Sequence, residues 1–318
     1  MKTLGVLFLG GAKRVSIAEC LINEGNKLGI NIQLFSYELE KTVPVAINSE
    51  VIIGLKWNDP DIYNHLSEIV DKYNIKVVIP FVDPAISIAC DLSTMNKSIF
   101  TPTSAKEICE IMFDKKLSEK WFVENNIPIP ESFNEIDEIK KYPVIIKPRK
   151  GSASKGIQVI ELKDELLKIK NLSSYVIQSY IANKEEYTVD CYVSQDGKVQ
   201  CIVPRIRLEV AGGEAIKTIT CKDPFITDLS KSVLEAGKFK GAVTIQYIKN
   251  LDTNEIFVME INPRLGGAVI ASIYAGANIP HFIIKEAVSE SITQQDDWKD
   301  KTLMTRYFKE VIFYADNN

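Results

Sequence analysis

The sequence predicts an α/β protein in which a parallel, Rossmann-like sheet comes first and antiparallel sheets follow. Over residues 1–100, short apolar strands alternate with amphipathic helices, which is typical of βαβ units around a parallel sheet. After residue 140, β-branched and apolar runs are joined by short turn clusters, which indicates antiparallel hairpins. The 318 residues are enough for two or three domains with cores of their own.

The first hundred residues alternate strand and helix in a regular order. Strands are predicted at 4–9, 32–36, 51–53 and 77–80, and helices at 15–28 and 61–73. The first turn lacks the spacing G-x-G-x-x-G, so it gives little support to a dinucleotide site. Ligands of parallel sheets bind at the carboxyl ends of the strands. Four charged residues occupy such ends, although each alone is more often a solvated loop charge: Lys13, Arg14, Glu38 and Asp83.

The remainder of the chain contains one long helical region followed mainly by hairpins. A helix is predicted at 104–125, then a proline-rich linker at 126–130. Further strands are predicted at 143–148, 157–160, 176–181, 188–193, 200–207, 243–247, 256–262 and 305–313. Further helices are predicted at 163–169, 226–239, 268–277 and 280–288.

Composition argues against several classes of function. The net charge of −4 gives no bulk attraction to nucleic acid or to an anionic membrane. The six cysteines show no C-x-x-C spacing and there are only two histidines, which argues against a zinc site or a histidine-based triad. Free cysteines predict a reducing cytoplasm. No apolar run approaches a membrane span, and Gly10 and Gly11 interrupt the first one, as in a buried strand and turn.

The most informative residues lie in the predicted hairpin of strands 243–247 and 256–262. If this hairpin turns at Thr253, Gln246 and Glu260 lie opposite each other, and Glu260 and Asn262 project to one side. Their oxygens are hard ligands that suit Mg²⁺, which completes its shell with water and substrate phosphates. Arg264 follows directly and suits a phosphate or carboxylate. For Glu260 alone, an ordinary polar strand face is the simpler interpretation.

A second group of residues suits phosphate. The glycines and small residues of 151–156 allow backbone N–H groups to approach an anion, although the P-loop pattern is absent. Lys147 ends the apolar strand before this loop, where a buried charge is costly unless an anion pairs with it. The alternatives are a flexible hairpin tip for the loop, a Lys147 side chain that reaches solvent, and a surface position for Lys115 on its helix.

Taken in order, these motifs resemble the ATP-grasp superfamily. The order is a helix lysine, a strand lysine before a small-residue loop, the segment Gln-Ser-Tyr-Ile at 178–181, an acidic pair at 185–186, and Gln…Glu-x-Asn-Pro-Arg. The resemblance is to the branch related to the carbamoyl-phosphate synthetase large subunit and to amino-acid ligases such as the pyrrolysine-pathway ligase. It covers essentially the whole chain. It implies a pre-ATP-grasp domain at 1–103 and a two-lobed ATP-grasp domain at 104–318, with a lid subdomain at about 142–182.

The resemblance also implies roles for individual residues. Lys147 and Arg264 would be catalytic, with Arg264 stabilising the transferred phosphoryl group. The nucleotide would be held by Lys115 and Lys147 at the phosphates, by the closing loop with Gly151, Ser152, Ser154 and Gly156, by Gln178 at the adenine amino group, by Ser179, Tyr180 and Ile181 at the adenine edge, and by Glu186 at the ribose. The implied Mg²⁺ ligands are Gln246, Glu260 and Asn262. Residues that could meet the substrate are Arg205, Arg207 and Asp83.

The activity that the resemblance implies is ATP-dependent ligation of a carboxylate to an amine through an acyl phosphate, with ADP and phosphate as products. The implied cofactors are ATP and two Mg²⁺ ions, for which Mn²⁺ could substitute, and the partners are small molecules; a homodimer stays open. Many relatives carry an acidic residue where this chain has Gln246, but glutamine also occurs in the carbamoyl-phosphate branch. The alternatives are a split carbamoyl-phosphate-synthetase-like half, another ATP-grasp phosphoryl-transfer enzyme, or a non-catalytic ATP-binding module.

Overall fold

The computed structural model describes residues 2–151 and 155–314, and within these ranges it contains three sheets. The first is parallel and the other two are antiparallel, so the predicted fold class is confirmed. Every helix in the described part of the chain is too short or too polar to cross a bilayer.

The N-terminal sheet has four parallel strands in the order β3-β2-β1-β4. Its strands are β1 (Lys2–Leu9), β2 (Ile30–Glu38), β3 (Glu50–Ile53) and β4 (Ile75–Pro80), with helices α1 (Val15–Lys27), α2 (Ile62–Lys72) and α3 (Asp83–Met95). β1 and β4 are neighbours, so the segments that follow them meet at one edge of the sheet. α3 was not predicted from the sequence; Pro84 lies in its first turn, where proline is well tolerated.

The predicted helix at 104–125 is two helices, α4 (Lys106–Phe113) and α5 (Lys115–Glu124). Asp114 interrupts them in an extended conformation, and its Oδ1 accepts hydrogen bonds from the backbone N–H groups of Lys116 and Leu117. Asp114 also forms an ion pair with Arg149, with 2.6 Å between Nε and Oδ2. An aspartate that caps a helix start in this way ends the preceding helix. The break places Lys115 at the beginning of α5.

The second sheet forms a small lobe of four strands in the order β5-β8-β6-β7. Its strands are β5 (Ser132–Phe133), β6 (Val144–Pro148), β7 (Gln158–Ile160) and β8 (Tyr175–Ser179), and helix α6 (Lys163–Leu166) covers one face. Val144 and Ile146 enter the apolar core of this lobe. Because side chains alternate along a strand, Lys147 points to the opposite face.

The third sheet has six strands in the order β13-β12-β9-β10-β11-β14. They are β9 (Lys184–Val193), β10 (Val199–Ala211), β11 (Glu214–Thr220), β12 (Gly241–Asn250), β13 (Ile256–Asn262) and β14 (Leu303–Thr305). Helices α7 (Pro224–Ala236), α8 (Ile270–Ala275) and α9 (Ile279–Ala287) accompany it. Short 3₁₀ turns lie at Pro44–Ile47, Ile136–Glu138 and Leu172–Ser174.

Two strands of this sheet differ from the sequence prediction. β11 was not predicted, because its residues alternate weakly and Gly212 and Gly213 at its start read as loop. The predicted strand at 305–313 is wrong, since β14 ends at Thr305. The apolar residues beyond it lack a neighbouring strand to cover them, and Phe308 is 99% exposed.

The core of the N-terminal sheet is continuous with that of the six-stranded sheet. Phe8 on β1 belongs to the same buried cluster as Tyr192 on β9 and Phe282 on α9. The opposite face of the parallel sheet packs against α2 and α3. This shared core fixes the carboxyl ends of β1 and β4 against the polar face of the six-stranded sheet.

Candidate functional site

One row of polar side chains crosses the six-stranded sheet. Glu260 on β13 pairs with Gln246 on β12, as the sequence predicted. Gln246 also pairs with Thr188 on β9, and Thr188 pairs with Arg205 on β10. Directly opposed residues share a face, so this row lines one side of the sheet. The register shifts just beyond Gln246, where Tyr247 pairs with Val258; a bulge of this kind redirects side chains.

Two adjoining cavities lie over this face. The larger, of about 750 Å³, separates the small lobe from the six-stranded sheet. The smaller, of about 310 Å³, lies between the six-stranded sheet and the carboxyl ends of β1 and β4. Both cavities are lined by Lys115, Gly151, Arg207, Gly213, Gln246 and Glu260. A separate cavity of about 660 Å³ beside α7 is lined by none of the predicted site residues.

Lys147 is the most deeply buried cation of the larger cavity. Among the described residues its side chain has no carboxylate partner within ion-pair distance, and Nζ donates to Oε1 of Gln178 at 2.8 Å. Burial lowers the pKa of Lys147 to about 8, although the nearby charges of Glu260 and Glu119 oppose this effect. A buried ammonium held only by an amide is well placed to receive an anion.

Gln178 lies in the cavity wall, but its amide is used on both sides. Its Oε1 accepts from Lys147, and its Nε2 donates to Oε1 of Glu119 at 2.6 Å. These contacts hold Gln178 beside Lys147 in the wall of the cavity, and the predicted contact of Gln178 with an adenine amino group stays a prediction. Burial raises the pKa of Glu119. Sequence reasoning missed Glu119, although its position four residues after Lys115 on one helix face was a signal.

The phosphate side of the cavity combines Lys115 with the small-residue loop. Nζ of Lys115 donates to the backbone oxygen of Gly151 at 3.0 Å. Gly151 and Gly156 have φ of +126° and +74°, in the region that favours glycine. The predicted contacts of Ser152 and Ser154 lie outside the described residues. Lys115 is thus held by a neutral group, as Lys147 is.

The far end of the larger cavity is formed by the chain segment after β8. The backbone N–H of Ser179 donates a hydrogen bond to the carbonyl oxygen of Glu131 at 2.8 Å. Nζ of Lys184 lies 4.7 Å from the centre of the Tyr180 ring. Tyr180, Ile181 and Glu186 all line this end. An aromatic, aliphatic and acidic wall can hold a flat heterocycle beside a sugar.

The predicted metal ligands converge at the junction of the two cavities. Nδ2 of Asn262 donates to Oε1 of Glu260 at 3.0 Å, and Oε1 of Gln246 accepts from Nη1 of Arg207 at 3.0 Å. In the described ranges, no group of three or more His, Cys, Asp or Glu side chains could hold a metal. Glu260 and Asn262 fit Mg²⁺ as hard oxygen ligands, provided that bound phosphates supply most of the remaining negative charge.

Charged pairs from different parts of the chain line the smaller cavity. Arg264 donates from Nε to Oδ1 of Asp83 at 3.0 Å, so the strand end of β13 meets the start of α3. Glu214 accepts from Arg14 at 3.0 Å and from Arg306 at 2.7 Å. Burial alone would raise the pKa of Glu214, but these two arginines lower it to about 2. The cavity therefore presents arginines whose carboxylate partners an incoming carboxylate could replace.

Arg205 and Arg207 share a face but have different surroundings. Arg205 and Asp190 are each 1% exposed and form a two-point ion pair, with Nε to Oδ2 at 2.7 Å and Nη2 to Oδ1 at 3.2 Å. Thr218 accepts from Arg205, and Ser272 donates to Asp190. This pairing makes Arg205 a support at the floor of the smaller cavity, which it also lines, and its predicted contact with the substrate stays a prediction. Arg207 instead lines both cavities.

Residues 171–310 match the family described as "ATP-grasp in the biosynthetic pathway with Ter operon". D-alanine--D-alanine ligase of Rickettsia canadensis is 29% identical over 213 residues, which cover 57% of this chain and 59% of that protein. The same ligase of Rickettsia felis is 29% identical, with 65% of its length covered. The chain thus spans less than two thirds of the length of these curated relatives.

Solved structures share the fold over nearly the whole chain. The biotin carboxylase domain of Hydrogenobacter thermophilus 2-oxoglutarate carboxylase, in complex with MgADP, ADP and bicarbonate, matches with a TM-score of 0.76 at 18% identity, covering 94% of this chain and 73% of that one. N5-carboxyaminoimidazole synthetase from Staphylococcus aureus, complexed with ADP, matches with a TM-score of 0.73 at 19% identity, covering 92% and 80%. At these identities the likeness establishes the fold.

The buried Asp190–Arg205 pair yields a test of stability. Asp190→Ala leaves the guanidinium of Arg205 buried without its anion, so we expect the free energy of unfolding to fall by about 3–5 kcal/mol. Urea denaturation followed by circular dichroism measures the change. Asp137→Ala is the matched control, because its ion pair with Lys163 lies at the surface and should leave stability unchanged. Equal stabilities for the two variants would contradict the supporting role.

Proposed function

We propose that the chain is an ATP-grasp protein and acts as an ATP-dependent ligase that joins a carboxylate to an amine, as the family match over residues 171–310 and the similarity to D-alanine--D-alanine ligases support. The observation that carries this proposal is the junction of the two cavities at Glu260, Gln246 and Arg207. A nucleotide in the larger cavity can direct its γ-phosphate through this junction toward an acceptor in the smaller one. The closer relation to the carbamoyl-phosphate branch and to amino-acid ligases remains a prediction.

The proposed nucleotide position follows the chemistry of the larger cavity. The adenine and ribose lie at the end with Tyr180, Ile181 and Glu186, as the likeness to ADP-bound neighbours supports. Lys115, Lys147 and the loop at 151–156 meet the phosphates. Glu260 and Asn262 hold Mg²⁺, which would neutralise phosphate charge when bound and which Mn²⁺ can replace.

The proposed reaction has two steps. A carboxylate oxygen attacks the γ-phosphorus, the bond to ADP breaks, and an acyl phosphate forms; Lys147 and Arg264 neutralise the developing charge. The amine nitrogen then attacks the acyl carbon, phosphate leaves, and the nitrogen loses a proton to solvent. Arg264 and Arg14 are among the cations of the smaller cavity that can orient the carboxylate. Closure of the loop at 151–156 would exclude water and protect the acyl phosphate.

Activation of bicarbonate is a second candidate, because the smaller cavity of about 310 Å³ suits a small acceptor. The structural neighbour from Hydrogenobacter thermophilus was solved with bicarbonate. A split carbamoyl-phosphate-synthetase-like half or another phosphoryl-transfer enzyme would use such a step. A non-catalytic ATP-binding module would bind nucleotide without any acceptor-dependent release of ADP.

We also propose partners, domain boundaries and a location for the protein. The partners are a small carboxylate and an amine, and the biotin carboxylase domain described as a dimer supports a homodimer. The domain boundaries stay at 1–103 and 104–318, with the lid at about 142–182. A cytoplasmic location remains a prediction from the free cysteines.

Phosphate release tests the proposed function directly. The protein is incubated with ATP and Mg²⁺ against amino acids, ammonia, bicarbonate and small carboxylic acids, singly and in pairs. We expect release that requires one carboxylate and rises when one amine is added. Release with bicarbonate alone would favour the second candidate, and binding of ATP without release in any mixture would favour the non-catalytic module.

The variant Glu260→Gln tests the metal site in that assay. It preserves the size of the side chain but removes the one carboxylate among the predicted metal ligands. We expect turnover to fall by at least about 10²-fold while the thermal unfolding temperature is unchanged. Turnover equal to that of the wild type would remove the metal assignment.

The lowered pKa of Lys147 leads us to expect that the protein takes up a proton when the nucleotide binds. Its pKa of about 8 should rise toward the ordinary lysine value beside phosphates, so the bound state holds more protons at pH values between the two pKa values. At about pH 8.5 we expect roughly half a proton or more per MgATP, and much less at about pH 6.5, where Lys147 is already charged. Calorimetry in two buffers of different ionisation enthalpy measures it. Lys147→Arg should bind without uptake; equal heats for the wild type in both buffers would contradict the assignment.

A further inference from the structure

We propose that the guanidinium of Arg207 replaces one of the two divalent cations predicted for the nucleotide site, so that this chain binds ATP with a single metal ion. The inference rests on the proposed nucleotide site and specifies its charge. It assigns Glu260 and Asn262 to the one ion and Gln246 to Arg207. The predicted role of Gln246 as a metal ligand is thereby revised.

The position of Arg207 is the first observation. Its side chain is 7% exposed although it lines both cavities. Nη1 donates to Oε1 of Gln246 at 3.0 Å, and Nη2 donates to the backbone oxygen of Gly213 at 3.0 Å. The guanidinium is therefore held at the junction from two sides, by a strand and by a turn. Gly213 lies in the turn before β11, and Gln246 lies on β12.

The second observation is that Arg207 lacks a full set of partners. Its buried Nε has no hydrogen-bond partner among the described residues, and Oε2 of Glu186 stays 3.8 Å away. A guanidinium has five N–H groups in a planar fork that matches phosphate. A buried donor without a partner costs free energy until one arrives. An anion at the junction would therefore supply the missing hydrogen-bond partner of Arg207 Nε.

A metal ion on Gln246 conflicts with this arrangement. Mg²⁺ binds oxygen at about 2.1 Å, and Nη1 already lies 3.0 Å from the same oxygen, so the ion would sit within about 5 Å of Nη1. A divalent ion and a guanidinium repel each other at that separation, most strongly in a partly buried site. Gln246 itself brings no negative charge to offset the repulsion.

The remaining ligands suit one ion. Glu260 and Asn262 are neighbours on one face of β13, with 3.0 Å between Oε1 and Nδ2. Rotation of the Asn262 amide would turn its oxygen toward an ion on Glu260. No cluster of three or more acidic, histidine or cysteine ligands lies among the residues that the structure describes. One carboxylate and one amide, completed by phosphate oxygens and water, form a single Mg²⁺ site.

The number of Mn²⁺ ions bound with nucleotide tests this inference. The protein is mixed with a smaller amount of a non-hydrolysable ATP analogue, so that all of the analogue is bound. Mn²⁺ is then added, and the free ion is followed by electron paramagnetic resonance. We expect one equivalent of Mn²⁺ to be taken up per bound nucleotide before the signal of the free ion appears.

Variants at the junction distinguish replacement of a cation from a general loss of affinity. Arg207→Gln combined with Gln246→Glu removes the fixed charge and supplies a carboxylate, so we expect a second equivalent of Mn²⁺. Arg207→Lys keeps a cation and should retain one equivalent. Lys217→Gln, which removes a positive charge from an exposed pair with Glu209, is the control and should also retain one.

Uptake of two equivalents of Mn²⁺ per bound nucleotide by the wild-type protein would by itself overturn the inference. A single equivalent in the folded double variant would overturn it too, since Arg207 would then not be what excludes the second ion. Absence of nucleotide binding in a thermal-shift assay of the wild type would overturn the proposed nucleotide site, and this inference with it. If the protein binds one Mn²⁺ with the nucleotide but shows no ligase activity, the proposed function fails and this inference is still supported.

Discussion

The pairing of β12 with β13 is the constraint on which the site depends. It places Gln246 opposite Glu260, and β12 pairs with β9 on its other side, so the pairing is fixed from both edges. A slip of one residue would turn Glu260 and Asn262 to the opposite face of the sheet. The core contributed by β12 and β13 disfavours such a slip, because Val258 and Ile261 would lose their buried positions.

The two cavities differ in how their cations are neutralised. In the larger cavity Lys147 and Lys115 contact an amide and a backbone carbonyl, neither of which carries charge. In the smaller cavity Arg264 and Arg14 contact the carboxylates of Asp83 and Glu214. The first arrangement suits a polyanion such as a triphosphate, which adds charge that the site lacks. The second suits a single carboxylate that exchanges with those already present.

Much of the fold and site could be predicted from the sequence because local patterns determine it. The alternation of apolar residues and a turn centred at Thr253 were enough to predict the partner of Gln246. The apolar run before Lys147 indicated a buried lysine, with a side chain that reaches solvent as the alternative, and the side chain is buried. Each of these features depends on residues close together in the chain.

The features that were missed depend on contacts between distant segments. Asp114 ends α4 partly because Arg149, which directly follows β6, stabilises it there. The ion pair of Arg205 with Asp190 was not predicted, because the two residues lie on different strands. The amide of Gln178 forms hydrogen bonds with Lys147 and Glu119, which lie on different elements of the chain. The segment after Thr305 has a strand-like pattern but no neighbouring strand, and a pattern alone does not supply one.

The most direct measurement is positional isotope exchange in ATP. ATP labelled with ¹⁸O at the β-nonbridging positions is incubated with Mg²⁺, the protein and the candidate carboxylate, with the amine omitted, and is analysed by ³¹P NMR. Reversible transfer of the γ-phosphoryl group lets the label move into the β–γ bridge, so the account predicts exchange that depends on the carboxylate. Amide formation from that carboxylate without any exchange would argue against reversible acyl phosphate formation. Exchange at the same rate with no acceptor would contradict transfer between the two cavities.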